Sequence, residues 1–60
     1  MNRTNELITL TRIDNTKIYV NPNHISSFYY SKLWECTLVI LIGGTQLDIQ
    51  DSVESIAKYF

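Results

Sequence analysis

Tight-turn signals divide this chain into segments that are long enough for short strands and for little else. Asp14-Asn15 tolerates the positive φ that a two-residue hairpin loop requires, and Gly43-Gly44 separates two apolar runs. Pro22, within Asn21-Pro22-Asn23, has no N–H to donate to a sheet and therefore ends a strand. Ser31-Lys32 is a weaker turn signal because it has no glycine. The order of these signals favours a series of hairpins.

The segments between the turns alternate or are rich in branched and aromatic residues, as strands are. They predict five strands, at about residues 6–13, 16–21, 25–31, 33–42 and 45–50. Short connections between consecutive strands favour an antiparallel meander. We therefore expect a mainly β fold, with the meander forming a strongly bent sheet or a small SH3/Sm-like barrel, in one domain that covers residues 1–60.

The last residues have helical spacing and predict one short C-terminal α-helix over about residues 52–59. Val53, Ile56, Ala57 and Phe60 fall at i, i+3, i+4 and i+7, which makes one apolar stripe. Asp51 or Ser52 is suited to the N-cap, and Asp51 with Glu54 resembles a capping box. A helix of this length is unstable alone in water. We therefore expect it to dock on the sheet, with Phe60 as its deepest anchor.

The sequence predicts neither a disulfide nor a bound metal ion that would stabilise so small a core. Domains of this size usually gain stability from a disulfide, a metal or a partner. Cys36 is the only cysteine and His24 the only histidine, so neither an internal disulfide nor a zinc site is expected. Apolar residues make up 45% of the chain, more than a core of this size can hide. We predict a homo-oligomer with no metal and no cofactor.

The potential catalytic residues are better explained as structural ones. His24 stands beside a turn, and the carboxylates fall at turns, caps or solvent faces, with the exception of Glu35. Glu35 lies between Trp34 and Cys36, which predicts a strand position facing solvent or an interface. Gly43-Gly44 lacks the lysine and the following helix of a phosphate-binding loop. We predict that the protein is not an enzyme, has no catalytic residues and takes no small-molecule substrate.

Charge and hydropathy predict a cytoplasmic protein without a membrane span and disfavour nucleic-acid binding. The net charge is −1, and the five lysines and arginines are scattered, whereas nucleic-acid binding draws on clustered basic residues. The longest apolar run, 38–42, is far shorter than the roughly 20 residues of a membrane span. The first ten residues lack the apolar segment of a signal peptide, and a single cysteine fits a reducing compartment.

Aromatic residues cluster between His24 and Trp34, and alternation places them on both faces of the third strand. Because one face at most meets the core, some of these rings must lie at the surface. Tyrosine and tryptophan are favoured in protein interfaces. The sequence therefore predicts a partner-binding or self-association surface that includes four aromatic side chains: Tyr29, Tyr30, Trp34 and Tyr19.

The order and spacing of the turn and strand motifs in this chain resemble those of the flagellar FlbD-like (SwrD-like) family of small proteins. The resemblance lies first in Ile8-Thr9-Leu10-Thr11-Arg12, Asp14-Asn15, Ile18-Tyr19-Val20 and Asn21-Pro22-Asn23. It continues in the strand 37–42, Gly43-Gly44, the strand 47–50 and Ser52-Val53-Glu54. The chain departs from the family pattern at Asn15, where the family often has glycine, and in the segment 30–36, which carries Lys32 and Trp34 instead of a short polar turn.

The resemblance implies a non-enzymatic, protein-binding accessory of flagellar or swarming motility, without a cofactor and without catalytic residues to assign here. Two alternatives remain open from the sequence. One is a small phage or mobile-element protein of unknown function, and the other is a small nucleic-acid-binding β barrel.

Overall fold

The computed structural model describes residues 6–60. Within these residues the order of elements is β1 Ile8–Thr11, β2 Lys17–Val20, β3 Ile25–Ser31, β4 Cys36–Leu41, β5 Gln46–Ile49 and α1 Val53–Ala57. A short 3₁₀-helix, Pro22–His24, connects β2 to β3, with Pro22 in its first turn, where a missing N–H costs nothing. The predicted mainly β fold with one short C-terminal helix is confirmed.

The strands form two antiparallel sheets, one of β1 and β2 and one of β3, β4 and β5 in that order. The two sheets meet where β1 passes β5, through an isolated bridge between Arg12 and Ile49. Two backbone bonds extend this contact: the Ile13 N–H donates to the Asp48 carbonyl at 3.2 Å, and the Gln50 N–H donates to the Thr11 carbonyl at 2.7 Å. The two sheets therefore make one strongly bent layer in which β2 and β3 lie at opposite ends.

The core lies on the concave side of this bent layer. Phe28, Val39 and Leu47 stand side by side across β3, β4 and β5 and face it. Four side chains are fully buried: Leu10, Val39, Ile49 and Ile56. A fully buried aliphatic side chain stabilises a fold by about 1.5–3 kcal/mol relative to an exposed one. The core is small, so each of these side chains carries a large share of the stability.

Two of the predicted turns have the backbone conformation that their residues favour. Asn15 has a φ of 74°, and its N–H donates to the Arg12 carbonyl at 2.9 Å. Gly43 has a φ of 99°, and the Gly44 N–H closes that turn onto the Leu41 carbonyl at 2.9 Å. Asparagine and glycine are the residues that enter the left-handed region at the lowest cost. Both hairpins are therefore confirmed.

The predicted start of the fourth strand at residue 33 is wrong. Residues 32–35 form the β3–β4 turn, and β4 begins at Cys36. Glu35 ends this turn with a φ of 55°, and Ser31 accepts the Trp34 N–H at its Oγ atom, 3.2 Å away. Glu35 is therefore a turn residue, and the expectation that it lies in a strand is wrong. Leu33 and Trp34 are apolar, as strand residues often are, but they lie in the turn at which the chain reverses direction.

The helix is shorter than predicted and its anchor differs, whereas its N-cap is one of the two residues predicted for that position. Ser52 is the N-cap, and its Oγ accepts the Ser55 N–H at 3.1 Å. Asp51 instead accepts a hydrogen bond from β1 and makes no capping box. Ile56 is fully buried, whereas Phe60 is 65% exposed and lies beyond the end of α1. The expectation that Phe60 is the deepest anchor is wrong, because the helix stops at Ala57 before the stripe is complete.

Candidate functional site

Many large apolar side chains in the described part of the chain face solvent. Ten of them are exposed by between 39% and 82%: Leu7, Ile13, Tyr19, Tyr29, Tyr30, Leu33, Trp34, Ile42, Tyr59 and Phe60. Single exposed apolar residues are normal on proteins, so their grouping matters more than their number. Four of the ten fall on β3 and the β3–β4 turn.

Three of the four aromatic residues predicted for a binding surface lie on this hairpin. Tyr29 is 51% exposed, Tyr30 is 57% exposed and Trp34 is 63% exposed. Tyr29 stands opposite Leu38 on the outer face, whereas Tyr30 stands opposite Thr37 on the same face as Phe28. We call Tyr29, Tyr30 and Trp34 the β3 surface. Its aromatic rings surround the end of one strand and do not form a single flat patch.

Tyr19, the fourth predicted residue, lies apart from the β3 surface. It stands on β2 opposite Thr9, on the outer face of the two-stranded sheet, and is 65% exposed. In the bent layer, β2 and β3 are at opposite ends of the strand order. The structure therefore exposes all four predicted side chains, three of them on the β3–β4 hairpin and the fourth on the other sheet.

A cleft of about 460 Å³ opens where the β3–β4 turn, the end of β1 and the start of α1 converge. Its apolar walls come from Ile13, Tyr30 and Val53, three residues that are far apart in the sequence. Cys36 and Thr37, both buried, lie at its base. A volume of this size is within the range of small-ligand sites. The sequence gives no sign of this cleft, because only the contact between β1 and β5 and the position of α1 assemble it.

The described residues that line the cleft carry negative charge and no positive charge. Glu35, at the end of the β3–β4 turn, and Glu54, in the first turn of α1, both line it. Neither a lysine nor an arginine of the described residues 6–60 lines it. The sequence identified Glu35 as unusual among the carboxylates, although for the wrong structural reason. Its pairing with Glu54 was not predicted, because these residues belong to elements that meet only in the fold.

Long-range hydrogen bonds hold the walls of the cleft in place. Gln50, which lines the cleft, donates from Nε2 to the Arg12 carbonyl at 2.9 Å and to the Asn15 Oδ1 at 2.7 Å. The Thr11 N–H donates to the Asp51 Oδ1 at 2.8 Å and so ties the start of the helix to β1. These bonds fix the β1–β2 turn and the start of α1 against the end of β5. The cleft is therefore part of the fold and does not depend on one loop.

A second depression, of about 540 Å³, lies on the other side of Ile13 and is more polar. Asp14, at its edge, has a pKa lowered from its ordinary value of 3.8, chiefly because the Thr16 hydroxyl and the Thr16 N–H donate to its carboxylate. These bonds, at 2.6 Å and 3.0 Å, hold the carboxylate within its own turn. Asp14 therefore stabilises the β1–β2 turn.

His24 and Cys36, the other potential reactive groups, have structural positions. His24 ends the 3₁₀-helix, where its N–H donates to the Asn21 carbonyl and its own carbonyl accepts the Ile42 N–H. Cys36 is a free, buried thiol. Residues 6–60 contain no group of three or more histidine, cysteine, aspartate or glutamate side chains placed to hold a metal ion.

Among residues 6–60, no helix has both the length and the apolar character required to cross a membrane. Comparison with protein-family models, with curated proteins and with solved structures finds no match to this chain. The resemblance to the FlbD-like family therefore stays a prediction that depends on the turn and strand motifs of the sequence alone.

Proposed function

We propose that this chain is a non-enzymatic protein-binding accessory that pairs with itself, with a role in motility of the kind that the FlbD-like resemblance implies. The observation that carries the protein-binding part is the β3 surface, where two tyrosines and a tryptophan are each more than half exposed around the end of one strand. Buried on binding, such rings supply large contact areas and retain a polar group for hydrogen bonding.

The position of β3 supports self-pairing. β3 is the edge of the three-stranded sheet, and its residues Ile25–Ser31 include no charged side chain and no proline. Charged residues and prolines are the usual devices that stop edge strands from pairing with another chain. An edge without them is suited to receive a second strand, and the exposed aromatic rings on either face of β3 would be covered at the same time.

Affinity capture from the source organism tests the binding of other proteins. We expect the full chain to retain specific proteins, and the Trp34→Ser variant to retain less of them because a large exposed ring is lost. Tyr19→Ser is the matched control, since Tyr19 is exposed to nearly the same degree, 65% against 63%, but lies on the other sheet. Equal capture by wild type, Trp34→Ser and Tyr19→Ser would contradict a role for the β3 surface.

The motility part of the proposal has a separate test. Deletion of the coding sequence is expected to reduce swarming on soft agar, and expression of the wild-type chain to restore it. Normal swarming in the deletion strain, together with the absence of flagellar genes near the coding sequence, would favour the phage or mobile-element interpretation. That result would leave the protein-binding part of the proposal standing.

A further inference from the structure

We propose that the cleft lined by Glu35 and Glu54 is a docking site for an extended segment of a protein partner that carries a lysine or arginine next to an apolar side chain. This inference rests on the proposed protein-binding function and gives it a place and a ligand chemistry. It adds the cleft as a contact for one segment of the partner, beside the contact that the β3 surface makes.

The apolar walls indicate the first part of the ligand. Ile13 and Tyr30 line the cleft and are 54% and 57% exposed, so each still presents much of its apolar surface to solvent. Val53 is partly buried beside them. At about 460 Å³ the cleft holds a few amino-acid side chains but not a folded domain. An apolar side chain from an extended segment fits this space and covers the exposed walls.

The charges of the cleft indicate that the ligand also carries a cation. Glu35 and Glu54 come from different elements and line the same cleft, and among residues 6–60 no basic side chain lines it with them. A cation from a partner complements this charge, and phosphate is repelled by it, which disfavours nucleic acid. Lysine and arginine suit the site best, because their long apolar stems lie along apolar walls while the charged end reaches a carboxylate.

Tyr30 contributes to both parts. Tyr30 lies at the end of β3 and lines the same cleft as Glu35 and Glu54. A guanidinium or ammonium group over a tyrosine ring gains a cation–π interaction in addition to its ion pairs. The hydrogen bonds of Gln50 and Asp51 already fix the surrounding backbone. Binding therefore requires little ordering of the cleft, which favours affinity.

The experiment is selection of a displayed library of random peptides on the immobilised full chain. We expect the selected sequences to be rich in lysine or arginine next to leucine, valine or an aromatic residue. One selected peptide is then synthesised with a fluorescent label, and its Kd is measured by anisotropy against wild type, Glu35→Gln, Glu54→Gln and Ile13→Ser. Thermal melts of each variant show that the fold is kept.

We expect Glu35→Gln and Glu54→Gln each to weaken binding by about two- to fivefold, since each removes one exposed ion pair. Ile13→Ser is expected to weaken binding as well, without any change in charge. Asp48→Asn is the matched control, because it removes one negative charge from β5 outside this cleft and should leave the Kd unchanged. Added salt should weaken binding to wild type more than to the glutamine variants.

Other results would overturn the inference. Selected peptides without basic residues, no selected peptides at all, or a Kd that Glu35→Gln and Ile13→Ser leave unchanged would each exclude the cleft as this docking site. Failure of the proposed function is recognised separately, because affinity capture would then retain no specific protein. If capture depends on Trp34 but no peptide is selected, only the proposal for the cleft is contradicted.

Discussion

The Asp51 carboxylate accepts the backbone N–H of Thr11 at 2.8 Å, across 40 positions of the sequence. This bond fastens the segment between β5 and α1 to β1, and so sets the place of the helix that covers the core. Asp51→Ala leaves a partly buried N–H without its acceptor, and we expect it to lower the free energy of unfolding by about 1–3 kcal/mol. Urea denaturation followed by circular dichroism measures the change.

Asp51→Asn is the matched control for that variant, because its side-chain oxygen still accepts the Thr11 N–H. A smaller loss of stability is expected for Asp51→Asn than for Asp51→Ala. Equal losses would show that the charge of Asp51, and not its hydrogen bond, stabilises the fold.

Ile56, and not Phe60, anchors the C-terminal helix. Ile56 is fully buried, so Ile56→Ala should cost about 2–5 kcal/mol in the free energy of unfolding. Phe60 stacks on Phe28 with ring centroids 5.5 Å apart, yet it is 65% exposed. Phe60→Ala should therefore cost only about 1 kcal/mol. Thermal melts of both variants test this order. A larger loss of stability for Phe60→Ala than for Ile56→Ala would contradict it.

Asp14 predicts a pH dependence of stability. The hydrogen bonds from Thr16 lower its pKa in the folded chain below the ordinary value of 3.8. A carboxylate with a lowered folded pKa stabilises the fold above its unfolded pKa, and this stabilisation is lost as the pH falls through the folded pKa. The difference in Tm between wild type and Asp14→Asn should therefore shrink as the pH falls below 3.8. A difference that stays constant over that range would contradict the prediction.

Glu35 occupies a backbone conformation that suits glycine. Its φ is 55°, and a side chain other than glycine or asparagine is strained there. Glu35→Gly should raise the free energy of unfolding by about 0.5–1 kcal/mol, after allowance for the greater freedom of glycine in the unfolded chain. Glu35→Ala retains the Cβ atom and should bring no such gain, so chemical denaturation of the two variants separates backbone strain from the loss of the carboxylate.

The fold was predictable where a backbone conformation or a missing hydrogen-bond donor is typical of one residue type. Asn15 and Gly43 accept positive φ, and Pro22 ends β2, so the turns and the strand order followed from the sequence. The start of β4 was not predictable in this way. Leu33 and Trp34 are as apolar as strand residues, yet they lie in the four-residue turn 32–35 that the hairpin requires.

The candidate site was predictable only in part. Alternation predicted that some of the four aromatic side chains lie at the surface, because a strand cannot bury both of its faces in so small a protein, and all four are exposed. It did not predict which ones, since Tyr30 lies on the same face as Phe28 and Trp34 lies in the turn 32–35. The cleft was not predictable, since Ile13, Tyr30 and Val53 come together through the contact of β1 with β5 and through the position of α1. Phe60 was misplaced for a related reason: helical spacing predicts a stripe but not the residue at which the helix ends.

Light scattering of the purified full chain at micromolar concentration tests most directly whether the β3 surface forms a protein contact. We predict a mass of at least two chains, and a shift toward one chain in Tyr29→Lys, which places a charge beside the edge of β3, but not in Tyr19→Lys on the other sheet. A wild-type mass of one chain would contradict self-pairing.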